Sequence, residues 1–310
     1  QHPPTAEQAA VIEAPLEPLL VVAGAGSGKT ETMAARVVYL VANNLVPPGE
    51  VLGLTFTRKD AAELSDRIRT RLRQLDRAGV GPGVNMEDQP RIATYNSYAA
   101  TLLTDHALRL GLDPDAQLIS DAGRFQLADH IVRNWPDDLE TGYTPGTVVD
   151  AVTSLAGEMA EHDLEPARAA RELRSLAQDL LDVDGRMVKE ISDIVTSLDL
   201  RAALMDLVAE FNARKADQGV VDFADQVRMA ARIAQQVPRV GALERSRYQV
   251  VLLDEYQDTS VAQVQMLRAL FGGGHPVTAV GDPNQAIYGW RGAAAGTLLS
   301  FPEQFPTGAG

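Results

Sequence analysis

The stretch Leu19-Leu20-Val21-Val22-Ala23-Gly24-Ala25-Gly26-Ser27-Gly28-Lys29-Thr30 decides the fold. Its apolar opening, half of it β-branched, reads as a short buried strand. The glycine-rich segment behind it reads as a loop, and residues 31–42, with apolar side chains at helical spacing, read as a helix. Strand, glycine loop and helix in that order make a cradle for phosphate. Glycines let backbone N–H groups wrap the phosphate oxygens, Lys29 can reach the β and γ phosphates as a point charge, and the Thr30 hydroxyl can ligate magnesium. Ala25, Gly26, Ser27, Gly28, Lys29 and Thr30 are the expected nucleotide-phosphate residues. Ala23 stands where the pattern usually opens with glycine.

The partner of this element follows Tyr248-Gln249-Val250-Val251-Leu252-Leu253. That run is apolar enough for a parallel strand covered on both faces, which places Asp254 at its carboxyl end, where open α/β sheets bind ligands. Asp254 can hold magnesium there, and Glu255 can polarise an attacking water. The plainer reading of this pair is an acidic loop ahead of a helix beginning near Thr259 or Ser260. With the phosphate loop in the same chain, the two elements together specify ATP and Mg2+ as ligands.

Length and composition fit an intracellular α/β protein: 310 residues, 45% hydrophobic, without cysteine. No apolar run is long enough to span a bilayer, and the first residues, Gln1-His2-Pro3-Pro4, have no signal-peptide pattern, so the expected location is cytoplasmic. The net charge of −14 argues against a polyanionic partner, yet the charge is segregated. Residues 58–77 carry seven Lys or Arg against four acids, whereas residues 137–165 carry eight acids and no Lys or Arg. A protein that grips single strands by stacking and backbone contacts needs only a local positive track.

Strands are expected at 19–22, 51–55, 91–94, 250–254 and 277–280, with helices between them: an open parallel sheet. From about Gly111 to Gly219 the pattern changes to periodic Leu/Ala/Val segments at 167–181, 187–198 and 202–214, which read as an all-helical insertion.

Two strings carry a family resemblance: Leu253-Asp254-Glu255-Tyr256-Gln257-Asp258-Thr259 and Val280-Gly281-Asp282-Pro283-Asn284-Gln285-Ala286-Ile287-Tyr288-Gly289-Trp290-Arg291-Gly292-Ala293. With the phosphate loop ahead of them, the order of motifs resembles the N-terminal half of the UvrD/Rep/PcrA group of superfamily 1A DNA helicases, over nearly the whole chain. The resemblance implies a RecA-like P-loop NTPase sheet with an inserted helical subdomain. It divides the chain into a first part of domain 1A at 1–110, subdomain 1B at 111–219 and a second part of 1A at 220–310. It also implies 3′-to-5′ ATP-dependent translocation on single-stranded DNA and on junctions of single- and double-stranded DNA.

Individual roles follow from residue chemistry and the resemblance together. Gln8 offers a planar amide with one donor and one acceptor, and a glutamine so placed in the family contacts adenine. Phe56, Arg58 and Lys59 end the second strand with a ring and two cations suited to a base and to phosphate. Relatives have Asn where Arg58 stands and usually Ala where Asp60 stands. Thr94, Tyr95 and Asn96 occupy the place of a family Thr-Phe-His and are expected to line the DNA path, Asn96 replacing the histidine. Gln285 is expected near the γ-phosphate, and Tyr288, Trp290 and Arg291 on its DNA side, with Trp290 stacking on a base as its family equivalent does. Lys29, Asp254, Glu255 and Gln285 are thus the expected catalytic set. Asp222 and Asp225, in Val221-Asp222-Phe223-Ala224-Asp225, are given a structural role only.

The family continues into a second RecA-like domain that bears the γ-phosphate arginines, so these 310 residues are expected to be part of a longer helicase and to turn over little alone. Asp254-Glu255-Tyr256-Gln257 and Thr94-Tyr95-Asn96 further resemble the actinobacterial AdnA/AdnB helicase-nucleases, which implies a helicase-nuclease partner subunit. A noncatalytic ATP-binding regulatory or interaction domain is the alternative.

Overall fold

The computed structural model describes residues 3–79, 88–136, 142–182, 189–285 and 296–308. Its strands are β1 (Leu19–Val22), β2 (Val51–Thr55), β3 (Arg91–Thr94), β4 (Gln117–Leu118), β5 (Val220–Val221), β6 (Val250–Leu253) and β7 (Val277–Gly281). The helices are α1 (Ala6–Glu13), α2 (Lys29–Ala42), α3 (Arg58–Arg77), α4 (Tyr95–His106), α5 (Asp121–Arg133) and α6 (Pro145–Glu161). They continue with α7 (Pro166–Leu181), α8 (Lys189–Asp217), α9 (Phe223–Gln236), α10 (Pro238–Arg247), α11 (Val261–Phe271) and α12 (Phe301–Gln304).

Five strands form one sheet in the order β1-β7-β6-β2-β3, every pair parallel. The expected open parallel α/β sheet is present, and its buried strands explain the unbroken apolar runs: every residue of β2, β6 and β7 is buried. Register aligns the carboxyl ends, with Val22 opposite Gly281, Leu54 opposite Leu253 and Thr55 opposite Thr94. The loops after these strands therefore open on one edge. Beneath it, Met33, Val37, Leu40 and Val41 of α2 and Leu64, Ile68 and Leu72 of α3 recur at helical spacing and pack with Val51, Val250, Leu252 and Val280.

The chain folds as two compact units, residues 1–112 with 229–310, and residues 113–228. In the second unit, α5, α6, α7 and α8 bury Leu127, Ile131, Val149, Val152, Leu207, Val208 and Phe211 in a common core. Two features differ from the sequence reading. The segments expected at 187–198 and 202–214 belong, over the described residues, to the single helix α8, because nothing between them breaks a helix. The unit is also not wholly helical: Gln117–Leu118 pairs in parallel with Val220–Val221 and closes the chain entry against its exit. Beyond that bridge, Lys215, 3% exposed, is held by Asp222 at 3.0 Å and Asp225 at 2.7 Å, which keeps this segment with the helical unit up to Arg228.

Candidate active site

The loop after β1 is exposed and built on left-handed glycines. Gly26 and Gly28 adopt φ of 73° and 83°, backbone that only glycine takes without strain, and a Cβ built on Gly26 would meet no atom within 4 Å. Thr5, Thr57, Thr94, Ser120, Thr144 and Ser260 cap their helices by side-chain hydrogen bonds. No side chain caps α2. Its N-terminal amides, with the helix dipole behind them, therefore face the loop and suit an anion.

Lys29, first residue of α2, reaches across the sheet edge. Its Nζ donates to Glu255 Oε2 at 3.0 Å, with the two side chains 10% and 33% exposed. Glu255 sits at φ 49°, an uncommon conformation for a residue with a side chain, immediately after Asp254. Asp254 is buried, its backbone N–H bonded to Leu54 O at 2.9 Å and its Oδ1 accepting the Glu255 N–H at 3.1 Å. Burial, reinforced by the neighbouring Glu255 charge, pushes the Asp254 carboxyl up to about 6. A buried carboxylate that ionises so reluctantly is suited to a cation. Thr30, next along α2 from Lys29, supplies a half-buried hydroxyl. Hydroxyl, carboxylate, ammonium and open amides fit a polyphosphate carrying magnesium.

Gln8 lies against this loop. Its Nε2 donates to Ser27 O at 2.8 Å and its Oε1 accepts the Thr5 N–H at 3.0 Å. Arg36, which sequence reasoning missed, holds that segment in place: fully buried, it donates to the carbonyls of Val11, Ile12, Ala14 and Pro15 and to Thr278 Oγ1. The available signal was an arginine on the apolar face of α2. Also missed was Asp282, after β7, whose Oδ2 accepts Gln285 Nε2 at 2.6 Å and whose backbone N–H donates to Gln257 Oε1 at 3.1 Å. Lys29, Asp254, Glu255, Gln285 and Gln8 are thus tied to the loops of one sheet edge.

The proposed strand-facing residues divide. Phe56 is half-buried with its ring 5.1 Å from Tyr95, and Arg58 and Lys59 are exposed at the start of α3. Asp60 accounts for its departure from the family: its N–H bonds to the Thr57 hydroxyl that caps α3, and its carboxylate accepts that hydroxyl at 2.6 Å. Tyr95 does not line a path. It is 1% exposed and donates its hydroxyl to Asp254 O at 3.0 Å, because a tyrosine at the start of α4 points back under β6 and reaches the carbonyl there. Thr94 caps α4 through the Ser97 N–H, and Asn96 Oδ1 accepts from Gln263 Nε2 at 3.3 Å. Tyr288, Trp290 and Arg291 lie outside the described residues. No helix among the described residues is long and apolar enough to cross a membrane.

Comparison with known proteins agrees with this fold. The chain is 29% identical over 290 residues to DNA helicase II of Rickettsia typhi, covering 93% of this chain and 38% of that protein. It is 27% identical over 289 residues to the ATP-dependent DNA helicase PcrA of Bacillus subtilis, covering 93% and 34%, and 27% identical over 303 residues to PcrA of Staphylococcus aureus, covering 97% and 36%. The chain thus spans little more than a third of the length of these relatives. The family model for the UvrD/REP helicase N-terminal domain matches residues 4–306, and the chain belongs to that family.

Proposed function

We propose that this chain is the ATP-binding and single-stranded-DNA-binding part of a 3′-to-5′ ATP-dependent DNA helicase acting in repair or recombination. The observation that carries the reading is the Lys29–Glu255 ion pair at the mouth of an uncapped helix, with the buried carboxyl of Asp254 beside it. Before nucleotide binds, Lys29 and Glu255 neutralise each other. A triphosphate on the loop offers Lys29 denser negative charge and releases Glu255 to orient water. Thr30 and Asp254 would hold magnesium, which neutralises charge on the phosphate oxygens. Gln8 contacts the base, and Gln285, held by Asp282 in its resting position, turns toward the γ-phosphate.

Arg58, Lys59 and Phe56 supply the nearby grip on single-stranded DNA, joined in this reading by Tyr288, Trp290 and Arg291. Thr94 and Asn96 contribute at most from the margin, since both already serve α4 and α11. In this reading arginines on a second RecA-like domain, which the resemblance implies, complete the γ-phosphate site; loss of such arginines removes about 10³–10⁵ in rate from comparable NTPases, and weak turnover by the 310 residues is the expectation. Titration of the chain with a fluorescent ATP analogue and Mg2+, with and without Lys29→Ala, tests the site. Binding that depends on Lys29 supports it, and equal binding by the variant refutes it.

A further inference from the structure

Glu255 is gripped from two sides. Its Oε2 accepts from Lys29 Nζ at 3.0 Å and from Gln257 Nε2 at 2.8 Å. Gln257 is 3% exposed, and Nε2 also reaches Asp258 Oδ2 at 3.2 Å. Its other amide atom, Oε1, accepts the Asp282 N–H at 3.1 Å. Asp282 in turn holds Gln285 Nε2 at 2.6 Å and the Asn284 N–H at 2.9 Å. One side chain therefore joins the loop after β6 to the loop after β7. Gly281 makes room for it and for Leu298: a Cβ there would lie 2.5 Å from Gln257 Oε1, 2.8 Å from Leu298 Cδ1 and 3.3 Å from the Gln257 backbone nitrogen. The position needs a donor toward a carboxylate and an acceptor toward an amide at the same time. Among side chains of this length, glutamine supplies both.

We propose that Gln257 is a positioning residue that ties Glu255 to residues 282–285, so that transfer of Lys29 from Glu255 to phosphate is transmitted to Gln285. The inference rests on the reading of Lys29 as phosphate ligand and Glu255 as the group that orients water. While Lys29 holds Glu255, the carboxylate is directed at the ammonium. Once Lys29 leaves, the Gln257 amide is the partner that fixes the carboxylate, and its far end fixes Asp282. Gln285, bonded to Asp282, moves with it.

The test uses the protein encoded by the complete reading frame, with Gln257→Met, Gln257→Glu and Glu255→Gln. Hydrogen exchange at the Asp282 amide is followed with and without a nonhydrolysable ATP analogue and Mg2+, beside single-strand-stimulated ATPase. The analogue should alter Asp282 exchange in the wild type. Gln257→Met should exchange about tenfold faster in both states, as expected for one lost hydrogen bond, with no response to the analogue and with analogue affinity within about threefold of wild type. Gln257→Glu keeps the acceptor for Asp282 but sets a carboxylate against Glu255 in place of a donor, so Asp282 exchange should stay near wild type while its response to the analogue is lost. Wild-type Asp282 exchange and analogue response in Gln257→Met, or a wild-type analogue response in Gln257→Glu, overturns the proposal. Should Gln257→Met fail to fold, the nearly isosteric Gln257→Glu is read alone, and a preserved analogue response in that variant overturns the proposal equally. Wild-type turnover by Glu255→Gln refutes the underlying reading of Glu255 and is distinguishable, because the Asp282 response is read without hydrolysis.

Discussion

Asp254→Asn should stabilise the domain that contains it while damaging the site. The carboxyl moves from an ordinary 3.8 to about 6 on folding, chiefly through burial and then through the Glu255 charge. At about 1.4 kcal/mol for each pH unit, the ionised form costs about 3 kcal/mol in the folded protein at neutral pH. The folded state binds the proton more tightly than the unfolded state. Below pH 3.8 both states are protonated and the cost is absent, between 3.8 and about 6 stability falls as pH rises, and above that the cost is complete. Asparagine never ionises and keeps an Oδ1 for the Glu255 N–H. The variant should therefore match the wild type near pH 4 and exceed it by up to about 3 kcal/mol at pH 8. Because the chain has two compact units, the assay should be local: denaturant dependence of hydrogen exchange at the β6 amides. Millimolar Mg2+ should narrow the gap at pH 8 by stabilising the wild type alone. A variant less stable than the wild type at pH 8, or a difference independent of pH, refutes the reasoning.

Three further outcomes follow from other contacts. Lys215→Met removes the cation shared by buried Asp222 and Asp225, leaving Asp222 only Arg124 at 3.5 Å, and should destabilise the helical unit by about 3 kcal/mol, read from Trp135 fluorescence during urea unfolding in a Trp290→Phe background. Arg36→Met strips the donor from four backbone carbonyls and should cost about 3 kcal/mol, with faster amide exchange in α1 as the local sign. Replacing Arg58 and Lys59 with alanine should weaken single-stranded DNA binding and flatten its dependence on log salt by about 0.7 for each phosphate no longer neutralised, measured by fluorescence anisotropy.

The sheet was legible because buried parallel strands write unbroken apolar runs, and each of the five expected strands appears within one residue of its place. The glycine-rich loop after β1 and the acidic pair after β6 could be placed for a different reason: each stands at a fixed distance from the end of a strand. Contacts between distant segments were not legible. Nothing local in Thr94-Tyr95-Asn96 shows that the tyrosine turns under β6 to the Asp254 carbonyl, or that the threonine serves as a cap. Arg36 stands out in the sequence as an arginine on the apolar face of α2, but its partners do not, because their carbonyls arrive from the end of α1. Gln257 stood within a recognised string, but its role depends on Asp282 arriving from the next strand. The bridge between Gln117–Leu118 and Val220–Val221 escaped notice because two residues carry no periodicity.

The most direct test of the account is steady-state ATP hydrolysis with and without single-stranded DNA, by this chain and by the product of its complete reading frame, each with Lys29→Ala. The account predicts turnover that single strands stimulate strongly in the complete protein, weak turnover by the 310 residues, and none above background when Lys29 is removed. Stimulated turnover that survives Lys29→Ala would contradict the assignment of the loop after β1 as the phosphate site of a DNA-driven motor.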